Sequence, residues 1–154
     1  MTDEHDSTIA HRLLAAEHSD LTTFIDVALA TLPTVRDDAI YWQLLAACWI
    51  KSGRVRELAR WRVLFEAGRR GRWKLMKKKD RRVWRSLPSV VVAHRASAAG
   101  ENLADMLSWT LDRALAERFA DAWGRKVVTR RFPRDQVIAY FNRRRESEIV
   151  VLQP

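Results

Sequence analysis

Residues 137–151 read Val137-Ile-Ala-Tyr-Phe-Asn-Arg-Arg-Arg-Glu-Ser-Glu-Ile-Val-Val151. An apolar strand, a basic loop and a second apolar strand led by two carboxylates follow one another. Side chains at i and i+2 of a strand point to the same face, so the spacing predicts Glu146 and Glu148 side by side, with Ser147 facing away. Two carboxylates roughly 6–7 Å apart along a strand repel each other and tend to raise one pKa. That suits general acid/base work or the stabilisation of a developing cation. Arg143, Arg144 and Arg145 act in the opposite sense, favouring ionised carboxylates and attracting anions such as phosphate. A solvated, charged edge strand is the plainer reading of the same residues.

Outward from this stretch, composition sets the bounds. The 154 residues, 47% of them apolar, suit one domain with a real core. The single cysteine, Cys48, lies in an apolar run and cannot form an intrachain disulfide. His5, His11, His18 and His94 are scattered, without zinc spacing, so no metal is expected. The longest uncharged run, Ala39 to Ile50, is 12 residues, short of the roughly 20 that span a bilayer. The acidic start, Met1-Thr-Asp-Glu-His-Asp6, does not resemble a signal peptide. These features point to a soluble, cytoplasmic protein with no membrane partner.

The net charge of +9 is concentrated in one segment. Residues 1–53 carry 3 basic and 8 acidic side chains, residues 54–86 carry 14 and 3, and residues 87–154 carry 11 and 8. The middle segment alone is +11, and it interleaves its cations with Trp61, Trp73 and Trp84. That pattern suits contact with nucleic acid or phosphate, while a solvated helix face with inward tryptophans is the plainer reading.

The first 86 residues read as helices. Ser7 or Thr8 caps the first, which carries Ile9, Leu13, Leu14 and Ala16. Asp20 caps a second, closed by Pro33. Thr34 opens a third with Asp37 in a capping-box-like position, and its apolar run Ala39 to Ile50 predicts a helix buried on most sides. A fourth covers Arg54 to Ala67, with Val55, Leu58, Trp61, Leu64 and Phe65 on one face and Arg54 and Arg56 among the cations around it. A fifth covers Arg72 to Ser86.

At Leu87-Pro88 the pattern changes. Ser89 to Ala93 reads as a buried strand ending in His94-Arg95. Arg95 needs an anionic partner there, either a ligand phosphate or a structural carboxylate. Leu107 to Thr110 reads as a short strand with Ser108 and Thr110 on one face and Trp109 on the other. Thr110 also caps the next helix, which Gly124 stops. Lys126 to Phe132, Val137 to Phe141 and Ile149 to Leu152 complete a sheet. The expectation is one α+β domain over residues 1–154, a helical subregion 1–86 packed on a strand-rich subregion 87–154.

A strand ending in Arg95, the triplet Ser108-Trp109-Thr110, and Glu146-Ser147-Glu148 opening a late strand now stand in order. This resembles the arginine–serine–glutamate class of mono-ADP-ribosyltransferases, in a small bacterial or phage branch, over roughly Leu87 to Leu152. "LSWTLDRALAERFA" and "VIAYFNRRRESEIVV" carry the likeness; Ala96 stands where glycine often follows the arginine. The resemblance implies a split β-sandwich whose two small sheets enclose an NAD-binding cleft. It further implies an NAD-consuming glycosyl transfer, with release of nicotinamide and a macromolecular acceptor, protein arginine favoured. Glu148 would stabilise the oxocarbenium-like centre. Glu146 would orient or deprotonate the acceptor. Ser108 would orient the ribose and Glu148. Arg95 and its neighbour His94 would hold the NAD phosphate or ribose, with Thr110 supporting the cleft. Trp109, Tyr140 or Phe141 would stack on nicotinamide or pack in the core. Arg143, Arg144 and Arg145, with Glu146, fall where the acceptor-recognition loop would lie and could select an acidic or nucleic-acid target. Two other readings are a nucleic-acid-binding protein acting through residues 54–86, and a catalytically silent member of the fold that acts by protein contact.

Overall fold

A computed structural model of the chain describes residues 3–53 and 58–154. The chain divides into two compact units, Met1–Leu75 and Met76–Pro154. Arg54, Val55 and Arg56, assigned by pattern to the fourth helix, lie outside the described residues.

The first unit carries α1 (Glu4–Ala16), α2 (Leu21–Thr31), α3 (Asp38–Ser52), α4 (Leu58–Phe65) and a 3-10 turn at Arg72–Leu75. Asp3, not Ser7 or Thr8, caps α1 by accepting from His5 N–H. Thr8 lies inside the helix, with its hydroxyl on Glu4 O. Asp20 caps α2 as the sequence suggests, accepting from Thr23 N–H at 2.9 Å. Asp37 caps α3 through Ile40 N–H, while Thr34 sits in the preceding 3-10 turn with its hydroxyl on Thr31 O. An aspartate directly before the first helical residue reaches the orphan amide more easily than a threonine further back.

The core of this unit is the aromatic side of α3. Tyr41, Trp42, Leu45, Ala46, Cys48 and Trp49 are buried, and Trp49 meets Trp61 and Phe65 of α4 edge-on at 5.4 and 5.1 Å. Edge-to-face pairs add to burial because the ring edge is positive and the face negative. Burial, with Glu17 nearby, pushes the Cys48 thiol up to about 12, which leaves it inert. The link from α1 to α3 is a buried carboxylate. Asp6 accepts from the backbone N–H of Arg36 and of Asp37, both at 2.8 Å.

The second unit carries α5 (Lys78–Arg85), α6 (Arg113–Trp123) and five strands, β1 (Val90–Ser97), β2 (Ser108–Thr110), β3 (Lys126–Pro133), β4 (Val137–Phe141) and β5 (Glu148–Val151). The helix expected over Arg72 to Ser86 is therefore broken. Lys77 is extended (φ −67°, ψ 160°) and separates the 3-10 turn from α5. α5 belongs with the strands: Trp84 Nε1 donates to Val137 O at 2.8 Å, and Arg134 Nη2 donates to Trp84 O. A helix beside a sheet makes the unit α+β.

The strands form one antiparallel sheet of order β3-β1-β2-β5-β4. β1 and β3 make a long ribbon, from Val90↔Pro133 to Ser97↔Lys126. β2, β5 and β4 form a second group. Among the described residues, a single pair, His94↔Thr110, joins the groups. β1 is not buried on both sides as its valines suggest: Val91 and Ala93 are buried, whereas Val90 and Val92 are exposed. His94 and Arg95 lie inside this strand, not at its end. No described helix is long and apolar enough to cross a membrane.

The Asp6 clasp yields a direct expectation. Asp6→Ala leaves two backbone N–H groups at the entry to α3 without their acceptor, which costs about 2–4 kcal/mol. A thermal melt followed by far-UV circular dichroism should show a midpoint lowered by roughly 5–15 °C; an unchanged midpoint contradicts the assignment.

Candidate functional site

The site lies where the two strand groups part. Continuing the register past His94↔Thr110 would set Ala96 against Ser108, but the ladder stops there. Leu107 O faces β5 and accepts from Val151 N–H, so Ser108 O, one residue on, faces β1. Arg95 Nη1 donates to it at 3.0 Å. A guanidinium thus takes the place of the missing ladder bond, and the carbonyl is not left orphaned.

On the other side of β2, the Ser108 hydroxyl donates a hydrogen bond to Glu148 Oε2. Pairing explains why they meet. Thr110 stands opposite Glu148 and Ser108 opposite Val150, so Ser108, Thr110 and Glu148 share one face. The row continues through His94 on one side and Phe141 on the other. Arg95 has the opposite parity and reaches Ser108 through its main chain. The structure therefore brings Arg95, Ser108 and Glu148 into one hydrogen-bonded series.

The anionic partner of Arg95 is Glu101, from the loop after β1. Arg95 Nε donates to Glu101 Oε1 at 3.0 Å, and Nη2 donates to the same oxygen. Glu101 Oε2 accepts from Ala98 N–H at 2.7 Å and from the Ser97 hydroxyl at 3.3 Å. Of the two partners the sequence allows, the structural carboxylate is present. Partial burial raises the Glu101 pKa, but the bonds from Arg95 and Ala98 outweigh it and hold the group below its usual 4.5. Sequence reading misses Glu101, because it follows a loop whose turn at Gly100 (φ 78°) has no periodic signature.

Glu146 does not stand beside Glu148 on the strand. β5 begins at Glu148, and Arg145 (φ 55°) and Ser147 (φ 43°) take left-handed backbone. Strand alternation applies only to extended residues, so it does not reach Glu146. Glu146 contributes its carbonyl, which accepts from the Thr110 hydroxyl at 2.6 Å. Thr110 is not the cap of α6 either. Asp112 is, accepting from Leu115 N–H, and the Thr110 hydroxyl accepts from Asp112 N–H one step earlier. Thr110 thus ties the carboxylate loop to the start of α6.

His94 is buried and its Nδ1 pairs with Thr129 Oγ1 at 2.8 Å. Burial, then Arg113, push its pKa below 6.5, so the ring is neutral at pH 7. Trp109, Tyr140 and Phe141 are 2%, 5% and 4% exposed. Trp109 donates its Nε1–H to Met106 O and meets Phe132 edge-on. These three rings are core, and the stacking role expected of them is corrected: such burial leaves no face for a ligand.

Arg143, Arg144 and Arg145 are exposed on the turn between β4 and β5. Asn142 shapes this turn. Its carbonyl accepts from Arg145 N–H and its Oδ1 from Ser147 N–H, both at 3.1 Å. No cluster of three or more His, Cys, Asp or Glu among the described residues could hold a metal ion. Comparison with protein-family models, with curated proteins and with solved structures gives no match for this chain.

The Arg95–Glu101 pair predicts an acid-sensitive contribution to stability. Because the folded pKa of Glu101 lies below 4.5, that contribution is complete above the unfolded value and is lost as pH falls through the lower folded value. Denaturant melts of wild type, Arg95→Ala, Glu101→Ala and the double variant should give a coupling of about 1.5–3 kcal/mol at neutral pH. The coupling should fade at strongly acidic pH; a pH-independent or absent coupling contradicts the pair.

Proposed function

We propose that the chain is an NAD-dependent mono-ADP-ribosyltransferase that modifies a macromolecular acceptor. The observation that carries this reading is the hydrogen-bonded series from Arg95 through Ser108 to Glu148 across the seam between β1 and β2. In the resembling family the same three residue types, in the same chain order, line a cleft between two small sheets. The one-pair junction of the β1–β3 ribbon with the β2–β5–β4 group is consistent with such a split sandwich.

The residues suit the chemistry. Cleaving the bond between ribose C1′ and the nicotinamide nitrogen sends the bonding pair to nicotinamide, which leaves neutral. Positive charge builds on the ribose ring, and a fixed carboxylate stabilises it. Glu148 is that carboxylate, and the Ser108 hydroxyl holds it in one orientation, so little reorganisation is needed during the step. An acceptor N–H or O–H then attacks C1′ and its proton passes to water. Glu146, on the turn leading into β5, faces the acceptor side in this reading. Arg95 keeps an N–H on each terminal nitrogen beyond the bonds to Ser108 and Glu101. Those donors suit the NAD diphosphate, although Glu101 already neutralises part of the charge. With the nearby rings in the core, nicotinamide recognition falls to polar contacts, not stacking.

The test is nicotinamide release and label transfer from labelled NAD in a cell lysate. Glu148→Ala should lower turnover by about 10³-fold or more, and Ser108→Ala by about 10–100-fold, with circular dichroism unchanged for both. Full activity in Glu148→Ala contradicts the site; no turnover by the intact protein contradicts the class.

A further inference from the structure

Two separate basic elements of the second unit, α5 and the β4–β5 turn, come together at the end of β4. Asp80, in the first turn of α5, is 9% exposed. Tyr140 N–H donates to Met76 Sδ just before α5, and Trp84 Nε1 donates to Val137 O, so α5 runs along β4 with its first turn toward Asn142. There Asn142 N–H and the charges of Arg143, Lys77 and Lys79 favour the Asp80 carboxylate. Burial raises its pKa and these neighbours oppose the rise. That packing on β4 anchors the first turn of α5 beside the β4–β5 turn. Around that anchor, Lys77, Lys78, Lys79, Arg82 and Arg85 are exposed on one element and Arg143, Arg144 and Arg145 on the other. One buried carboxylate does not offset so many cations, and the patch carries a strong positive potential.

The turn also leads into the site. Asn142 holds Ser147, Ser147 O accepts from Leu111 N–H, and Glu148 follows at the start of β5. A molecule bound along α5 and the turn is thus brought toward Glu148. We infer that α5 and the β4–β5 turn form one docking surface for nucleic acid, and that nucleic acid is the acceptor presented to Glu148. This rests on the transferase reading and narrows it. An arginine acceptor, which the family resemblance favours, would have to approach past three like charges. A phosphate backbone supplies evenly spaced anions that suit Arg forks and Lys ammonium groups together. The transfer balances as NAD plus an acceptor N–H or O–H giving the ADP-ribosyl acceptor, nicotinamide and a proton.

The full chain would be titrated with a short duplex DNA, with its single strand, with an RNA of the same length and with polyglutamate, over a range of salt. Nucleic acid should bind with log K falling linearly against log salt. The variant Lys78→Gln/Lys79→Gln/Arg82→Gln should bind it roughly 10–100-fold more weakly, with the slope reduced by about 2–3. Nicotinamide release without acceptor should not change in that variant, since none of the three residues touches the Arg95–Ser108–Glu148 series. Label from NAD should move onto one of the nucleic acids. Polyglutamate bound as tightly as nucleic acid, or salt-insensitive binding, overturns the inference in favour of an acidic protein partner. Nicotinamide release with label only on protein or water also overturns it, and leaves the transferase reading standing. Salt-dependent binding with no NAD turnover at all overturns the acceptor assignment through the failure of the transferase reading itself.

Discussion

The second unit depends on one substitution of partners. Where β1 and β2 cease to pair, a side chain takes the place of a backbone donor, and Arg95 satisfies the Ser108 carbonyl. An unsatisfied carbonyl at a strand junction would cost free energy comparable to a lost hydrogen bond. A continued ladder would have closed the seam instead. Arg95 lets the strands part without that cost, and Ser108 links the seam to Glu148 on β5. Glu101 and Thr110 hold the two margins. One fixes the guanidinium and the loop after β1; the other fixes the turn before β5 and the start of α6. Hydrogen bonds that satisfy each other in this way stiffen a site before any ligand arrives.

Much of this was legible because it follows from short-range rules. β4 occupies the run Val137–Phe141 that its apolar sequence marks, and Ser108 shares a face with Thr110 because β2 alternates. Asp20 and Gly124 bound their helices for the reasons their chemistry suggests. The failures share a cause. Alternation places Glu146 on a strand that begins only at Glu148, because left-handed backbone at Arg145 and Ser147 resets the count. The sequence pattern joins α5 to the residues before it, because nothing local marks the extended Lys77 or the distant Val137 carbonyl that captures Trp84. Glu101 was invisible because its meaning lies in Arg95, across a turn. Local pattern names the residues, and tertiary pairing decides which of them act together.

Charge is organised on the same plan. The +11 of residues 54–86 does not belong to one element, because the division between units falls within it. The part on α5 packs along β4, whose end leads into the basic β4–β5 turn. A basic segment that looks uniform in sequence is thus divided, and one portion packs against β4, the strand that pairs with β5.

The most direct test of the central claim is a crystal structure of the Glu148→Gln protein with NAD, the substitution being chosen to slow turnover while preserving the shape of the site. The account predicts density for the nicotinamide ribose within hydrogen-bond distance of Ser108 and residue 148, with the diphosphate against Arg95. NAD bound elsewhere on the chain, or no density at millimolar NAD in crystals whose seam is open to solvent, would contradict it.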